Sequence, residues 1–274
     1  MNPVDQLFRR LRSQGRKAFM PFLTAGDPDR SATPAVAAAV VEAGADLVEI
    51  GFPYSDPIAD GPVVQASYTR ALNRGLRLAD VFDCVRRVAD LSVVRDRGVP
   101  LVGMVSYSII HRRGPEAFLR QAMQAGLSGA IVPDLPVDES QSLCELALAR
   151  DFKLIHLVTP TTPRERAREI AQRSTGFLYC VSVTGITGER DTLPLDLREQ
   201  LGWLRTKTDL PLCVGFGISK PEHVRLLRDS ADGIIVGSAL VRRLEQAGSR
   251  PLAEVVAEVK ALAASLVDAL HGPR

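Results

Sequence analysis

Residues 47–65 read LVEIGFPYSDPIADGPVVQ, and they place Glu49, Asp56 and Asp60 within one short stretch. Glu49 interrupts an apolar strand pattern, and a loop stiffened by Pro53, Pro57 and Pro62 carries the two aspartates. Side-chain alternation sets Glu49 on the face opposite Val48 and Ile50, together with Leu47 and Gly51. If that face turns inward, the carboxyl is partly desolvated and its pKa rises towards neutrality, as a proton donor and acceptor requires. Asp60 lies where the loop returns to a helix beginning near Gly61–Pro62. Both residues also have structural readings: Glu49 could pair with a barrel lysine or arginine, and Asp60 could cap the helix. The neighbouring strand cores hold no basic residue, which favours chemistry for Glu49. Two such carboxylates suit isomerisation or carbon–carbon bond cleavage, and their spacing leaves both open.

Glycine turns supply the other half of a site. TGITG (184–188), GFGIS (215–219) and VGSAL (236–240) each follow an apolar run. Gly188, Gly217, Gly237 and Ser238 would let backbone amides approach an anion, with a helix beginning at Ser238. Any one glycine turn is weak evidence; three at adjacent strand ends favour a phosphate site. SVTGITGERDTLP (182–194) is also long enough, with its glycine hinges, to close over substrate as a lid.

The elements that must position these residues alternate along the chain. Eight short apolar runs read as strands: 18–22, 46–51, 99–105, 129–133, 153–158, 176–181, 211–216 and 232–237. Each is rich in Val, Ile, Leu or Phe, as strands buried on both faces are. Helical patterns fill the gaps, several opening with Pro followed by an acidic residue. An amphipathic, charged helix pattern precedes the first strand. The order predicts an α/β fold, a single (β/α)8 TIM barrel spanning 1–274, with an additional N-terminal helix. A doubly wound open sheet is the rival, but no GxGxxG follows the first strand. In the barrel, sites form on loops at the C-terminal ends of strands, where the residues above fall.

Composition narrows the function classes. The 34 basic and 32 acidic residues give a formal charge of +2, no reason to expect nucleic acid. No run approaches the length of a membrane span, and the N-terminus lacks the apolar core of an export signal, so a cytoplasmic location is expected. The four cysteines are far apart and read as buried reduced thiols rather than a disulfide framework or zinc site. None of the four histidines shows metal-ligand spacing, so no metal is expected; His156, within an apolar strand, reads as a hydrogen-bonded core residue.

The segment LVEIGFPYSDPIADGPVVQ resembles the signature of the tryptophan synthase alpha subunit family. The likeness continues through MPFLTAGDP, VPDLPVDES, YCVSVTGITGERDTLP, VGFGISKPEHV and ADGIIVGSALV, in order, over about 19–244. The resemblance implies retro-aldol cleavage of indole-3-glycerol phosphate to indole and D-glyceraldehyde 3-phosphate, late in L-tryptophan biosynthesis. By matching position, Glu49 would move the proton at indole C3 and Asp60 would stabilise charge at the indole N–H. Phe22, Val132, Val158, Tyr179 and Phe216 would line the pocket. Gly188, Gly217, Gly237 and Ser238 would hold the phosphate, and Thr187 would approach Asp60 on lid closure. The same resemblance implies an alpha2-beta2 heterotetramer with a pyridoxal-phosphate beta subunit, no cofactor in this chain, and a docking surface including Asp56, Pro57 and Asp134.

One stretch departs from the family pattern. MVSYSIIHRRG (104–114) has Ser108 and Ile109 where an Asn-Pro pair is expected, in a region that shapes the pocket and adjoins the partner surface. Three other functions use the same residues. A stand-alone lyase would turn over without a partner. A phosphosugar isomerase or epimerase would exchange a carbon-bound proton without forming indole. A non-catalytic phosphate-binding regulator is disfavoured by the presence of both Glu49 and Asp60.

Overall fold

The computed structural model describes residues 1–58, 60–182 and 195–272. Nine strands follow in chain order: β1 Ala18–Thr24, β2 Val48–Gly51, β3 Leu101–Met104, β4 Leu127–Ile131, β5 Lys153–Ile155, β6 Leu157–Val158, β7 Leu178–Val181, β8 Leu212–Gly215 and β9 Gly233–Val236. Helices separate almost all of them, and neighbouring strands pair in parallel in the order β5-β4-β3-β2-β1-β9-β8-β7-β6. This is the expected barrel, with one difference. The run 153–158 is two strands, broken at His156: β5 pairs with β4 and β6 pairs with β7. The cylinder therefore closes through one stretch of chain that changes partner at one residue. At the break the His156 amide donates to Ser174 Oγ at 3.1 Å, while its carbonyl accepts from the Tyr179 amide.

Alternation along the strands divides the apolar residues into two layers. One, including Phe19, Leu23, Val48, Ile50, Val132 and Val158, packs between the sheet and the helices. The other fills the cylinder and includes Met20, Phe22, Leu47, Val102, Met104, Ile131, Ile155 and Tyr179. Burying each such side chain stabilises the fold by about 1.5–3 kcal/mol.

The expected N-terminal helix, Pro3–Ser13, adds Val4, Leu7, Phe8 and Leu11 to the inner layer and plugs the cylinder. Phe8 meets Phe177 at 5.8 Å between ring centroids. Asn2 caps this helix, accepting from the Val4 amide at 2.9 Å, and its Nδ2 donates to the carbonyls of Ser128 and Asp151. With that end filled, the other end of the cylinder is left for a site.

The four cysteines are free thiols, and burial pushes Cys180 up to about 12. Among the described residues no helix is long and apolar enough to cross a membrane, and no cluster of metal-ligating side chains occurs.

Candidate active site

Glu49 sits in β2, in register with Phe22 of β1 and Val102 of β3. It is fully buried, and neither carboxyl oxygen has a hydrogen-bond partner among the described residues. Among the described residues no salt bridge reaches it, so the ion-pair reading is set aside. Burial, and then the charge of Asp60, raise its pKa to about 8.

Asp60 approaches from the loop after β2. Gln65 fastens that loop, its Nε2 donating to the carbonyls of Asp60 at 2.7 Å and Pro57 at 3.1 Å. The cap of the helix Pro62–Asn73 is Gly61, with no side-chain cap bond, so Asp60 is not the capping residue. Its Oδ2 is buried without a partner among the described residues, and burial followed by the charge of Asp134 raises its pKa to about 6.

Arg70 on the same helix locks the surrounding elements together. It donates from Nε and from a terminal nitrogen to the buried carboxylate of Asp27, at 2.9 and 2.8 Å, and reaches Glu245 at 3.5 Å. Ser67 is hydrogen-bonded to Thr24 Oγ1 at 2.7 Å. The helix that follows Asp60 is thus tied to β1, to the loop after β1, and to the chain just beyond Ser238–Leu244.

Aromatic side chains pack beside the acid pair. Phe22 and Tyr179 lie in the inner layer, with Phe216 packed against it. Tyr179 meets Phe216 edge-on at 6.3 Å, and its hydroxyl rests against Gly215, where an added methyl would come within 2.2 Å. Gly51 makes the same allowance for Phe22. Phe216 has φ 73°, a left-handed conformation costly for a bulky residue, and Gly217 follows with φ 73°. Gly237 packs against the Phe22 side chain and precedes the helix Ser238–Leu244.

Two expected pocket residues lie elsewhere. Val132 and Val158 belong to the outer layer, and alternation turns Ile131 and Leu157 inward in their place. Thr187, Gly188 and the expected lid beyond Ser182 lie outside the described residues. Two tyrosines went unrecognised in the sequence. Tyr54 and Tyr68 stand 5.8 Å apart by ring centroid, each with a buried hydroxyl lacking a hydrogen-bond partner among the described residues. The inward stripe Val64, Ser67, Tyr68 and Ala71 of the helix was the available signal for Tyr68.

Asp56 and Asp134 are exposed and Pro57 is half-buried; beside them Ile58 is 88% exposed. Asp134 joins two loops, accepting from Ser106 Oγ at 2.6 Å and from the Tyr107 amide at 2.7 Å. Ser106 caps the helix Tyr107–Arg113 and shares a 2.7 Å hydrogen bond with Ser108. The stretch that departs from the family pattern is therefore a closed hydroxyl–carboxylate network.

A buried acid pair at the open end of a plugged barrel can be set beside known proteins. The profile of the family Tryptophan synthase alpha chain matches residues 8–271. This chain belongs to that family. The tryptophan synthase alpha chain of Rhodopirellula baltica is 53% identical over 274 residues, covering 100% of this chain and 98% of that protein. That of a Thermoanaerobacter species is 42% identical over 270 residues, with 98% and 100% covered. The crystal structure of tryptophan synthase subunit alpha from Legionella pneumophila superposes with TM-score 0.88 at 31% identity, covering 100% of both chains. A chain of aminoacrylate-bound tryptophan synthase from M. tuberculosis gives 0.84 at 30% identity, covering 99% and 100%. The expected family and TIM-barrel architecture of a tryptophan synthase alpha chain are borne out.

Proposed function

We propose that this chain, an alpha subunit of tryptophan synthase, cleaves indole-3-glycerol phosphate to indole and D-glyceraldehyde 3-phosphate. The observation that carries the reading is the carboxyl of Glu49, fully buried, without a partner among the described residues, and beside the charge of Asp60. Retro-aldol cleavage needs a proton placed on indole C3 and another removed from the hydroxyl on the adjoining chain carbon. Glu49, with a pKa of about 8, is protonated near neutral pH and supplies the first. Its carboxylate then takes the hydroxyl proton as the carbon–carbon bond breaks, the aldehyde forms, and the electron pair returns to the ring. The proton count closes on one residue.

Asp60, with a pKa of about 6, is ionised in the same range and balances the positive charge that develops at the indole N–H. Two carboxyls with pKa values held apart have distinct acid and anionic roles. Phe22, Tyr179 and Phe216 would flank the indole. Gly217, Gly237 and Ser238, with Gly188, would hold the phosphate, and Thr187 would meet Asp60.

The chemistry is proton transfer, which this chain's own side chains can supply without a cofactor. Pyridoxal phosphate belongs to the beta subunit, expected in an alpha2-beta2 heterotetramer in the cytoplasm. The exposed Ile58 among Asp56, Pro57 and Asp134 supports that edge as the docking surface. We read 1–274 as one domain.

Indole release from indole-3-glycerol phosphate, with and without a beta subunit, tests the proposal. Release in either condition supports the lyase. Exchange of a substrate carbon-bound proton with no indole would replace it with an isomerase.

A further inference from the structure

The helix Pro62–Asn73 turns two hydroxyl side chains inward, and they are treated differently. Ser67 is fully bonded, to Thr24 Oγ1 and to the Val64 carbonyl, both at 2.7 Å. Tyr68 is 1% exposed, and its hydroxyl has neither a protein partner among the described residues nor contact with water.

Its position is fixed from several sides. The ring belongs to the inner layer with Phe22, Met104 and Tyr179 and packs on Tyr54. The phenol oxygen rests over Gly51, where an added methyl would lie 2.8 Å away. Gly51 and Glu49 are two positions apart on β2 and share its inward face, roughly 7 Å apart along the strand. Burial first, and then the nearby carboxyls of Asp60 and Glu49, raise the pKa of the phenol and hold its proton in place. A neutral hydroxyl thus stands beside both carboxyls, its donor and its acceptor unused among the described residues.

An orphaned buried hydroxyl destabilises the empty protein, and phenylalanine would fill the same space without that penalty. The penalty disappears when a polar guest enters. Indole offers a single N–H, which Asp60 meets; the polyol chain of the substrate offers hydroxyls that both give and take hydrogen bonds. A phenol flanked by two carboxyls is suited to orienting one of these.

We propose that the Tyr68 hydroxyl is a further catalytic group, hydrogen-bonding a hydroxyl of the substrate's glycerol chain beside Glu49. The inference rests on the lyase reading above. Tyr68→Phe separates a functional hydroxyl from a packing role, because it keeps the ring and removes one oxygen. Indole-release kcat/KM should fall about tenfold or more. The melting temperature of the unliganded variant should equal or exceed that of the wild type. A kcat/KM within twofold of wild type would overturn the proposal. So would a loss of activity accompanied by a lower melting temperature, which would mark the hydroxyl as structural. A wild-type protein releasing no indole would instead remove the lyase reading on which the inference stands, so the two failures are distinguishable.

Discussion

The hydroxyl of Ser182 donates to the main-chain carbonyl of Phe216, joining the end of β7 to the turn after β8. The Ser182 amide adds a second bond, to the Gly215 carbonyl at 2.9 Å. This clamp holds Phe216 in its left-handed conformation, which costs about 1–3 kcal/mol at a non-glycine residue. Ser182→Ala should let the turn relax, moving both the Phe216 ring and the Gly217 amide. The expected result is a rise in KM of about fivefold to tenfold with kcat changed less than threefold. Equal losses in both constants would contradict a role in placing the phosphate turn.

Glu49→Gln should lower turnover by at least about 10²-fold while leaving inorganic phosphate binding intact, since only the proton carrier is removed. It should also change stability. Glu49 titrates near 8 when folded and near 4.5 when unfolded, so between those values the native state holds a proton that the unfolded chain has released. Wild-type stability should therefore decline as pH rises through that window. The glutamine variant lacks this decline. Urea midpoints at pH 5 and pH 8 should show the variant gaining on the wild type only at the higher pH.

The two carboxyls together predict a bell-shaped pH–rate profile. Activity should fall below about pH 6 as Asp60 gains a proton, and above about pH 8 as Glu49 loses one. Asp60→Asn should be strongly impaired and should lose the acid limb. A profile with its acid limb unmoved in that variant would assign the limb to another group.

Gly215→Ala should disable the site by shape alone. The new methyl would lie 2.2 Å from the Tyr179 hydroxyl, and the phenol must swing away from its place in the inner layer. Activity should drop at least about tenfold while far-ultraviolet circular dichroism stays native. Full activity would mean that Tyr179 can relocate without consequence.

His156 predicts acid sensitivity. Burial, and then the charge of Arg173, depress its pKa from 6.5 to about 4. Between those values the unfolded chain takes up a proton that the native state refuses, so stability falls as pH drops from about 6.5 towards 4. The loss is on the order of 3 kcal/mol. Comparing denaturation midpoints of wild type and His156→Asn at pH 7 and pH 4.5 isolates it, because the variant should lose less.

Much of this was legible in the chain. Glu49 stood out because alternation, burial and the lack of a nearby cation all point to the same carboxyl. The strand order was readable because buried parallel strands leave dense apolar runs. Val132 and Val158, expected in the pocket by matching position, pack in the outer layer, and alternation gives the inward places to their neighbours Ile131 and Leu157. The break at His156 depends on Ser174, which is remote in sequence and only tertiary structure brings to the amide. The unpaired Tyr68 hydroxyl is likewise a property of the assembled barrel: an inward stripe predicts burial, but not the absence of a partner. In GFGIS the glycines advertise unusual backbone, yet the unfavourable conformation falls on the phenylalanine between them.

The partner change at His156 has a geometric consequence. In the sheet order β1 is the middle member, with four strands on either side, so the seam lies diametrically across the cylinder from it. Phe22 of β1 is laddered directly to Glu49 of β2, so the acid rests on the uninterrupted arc. Breathing of the wall should begin at 154–158 and show there as the fastest strand-amide hydrogen exchange. The arc bearing the carboxylate would keep its form while the opposite edge loosens.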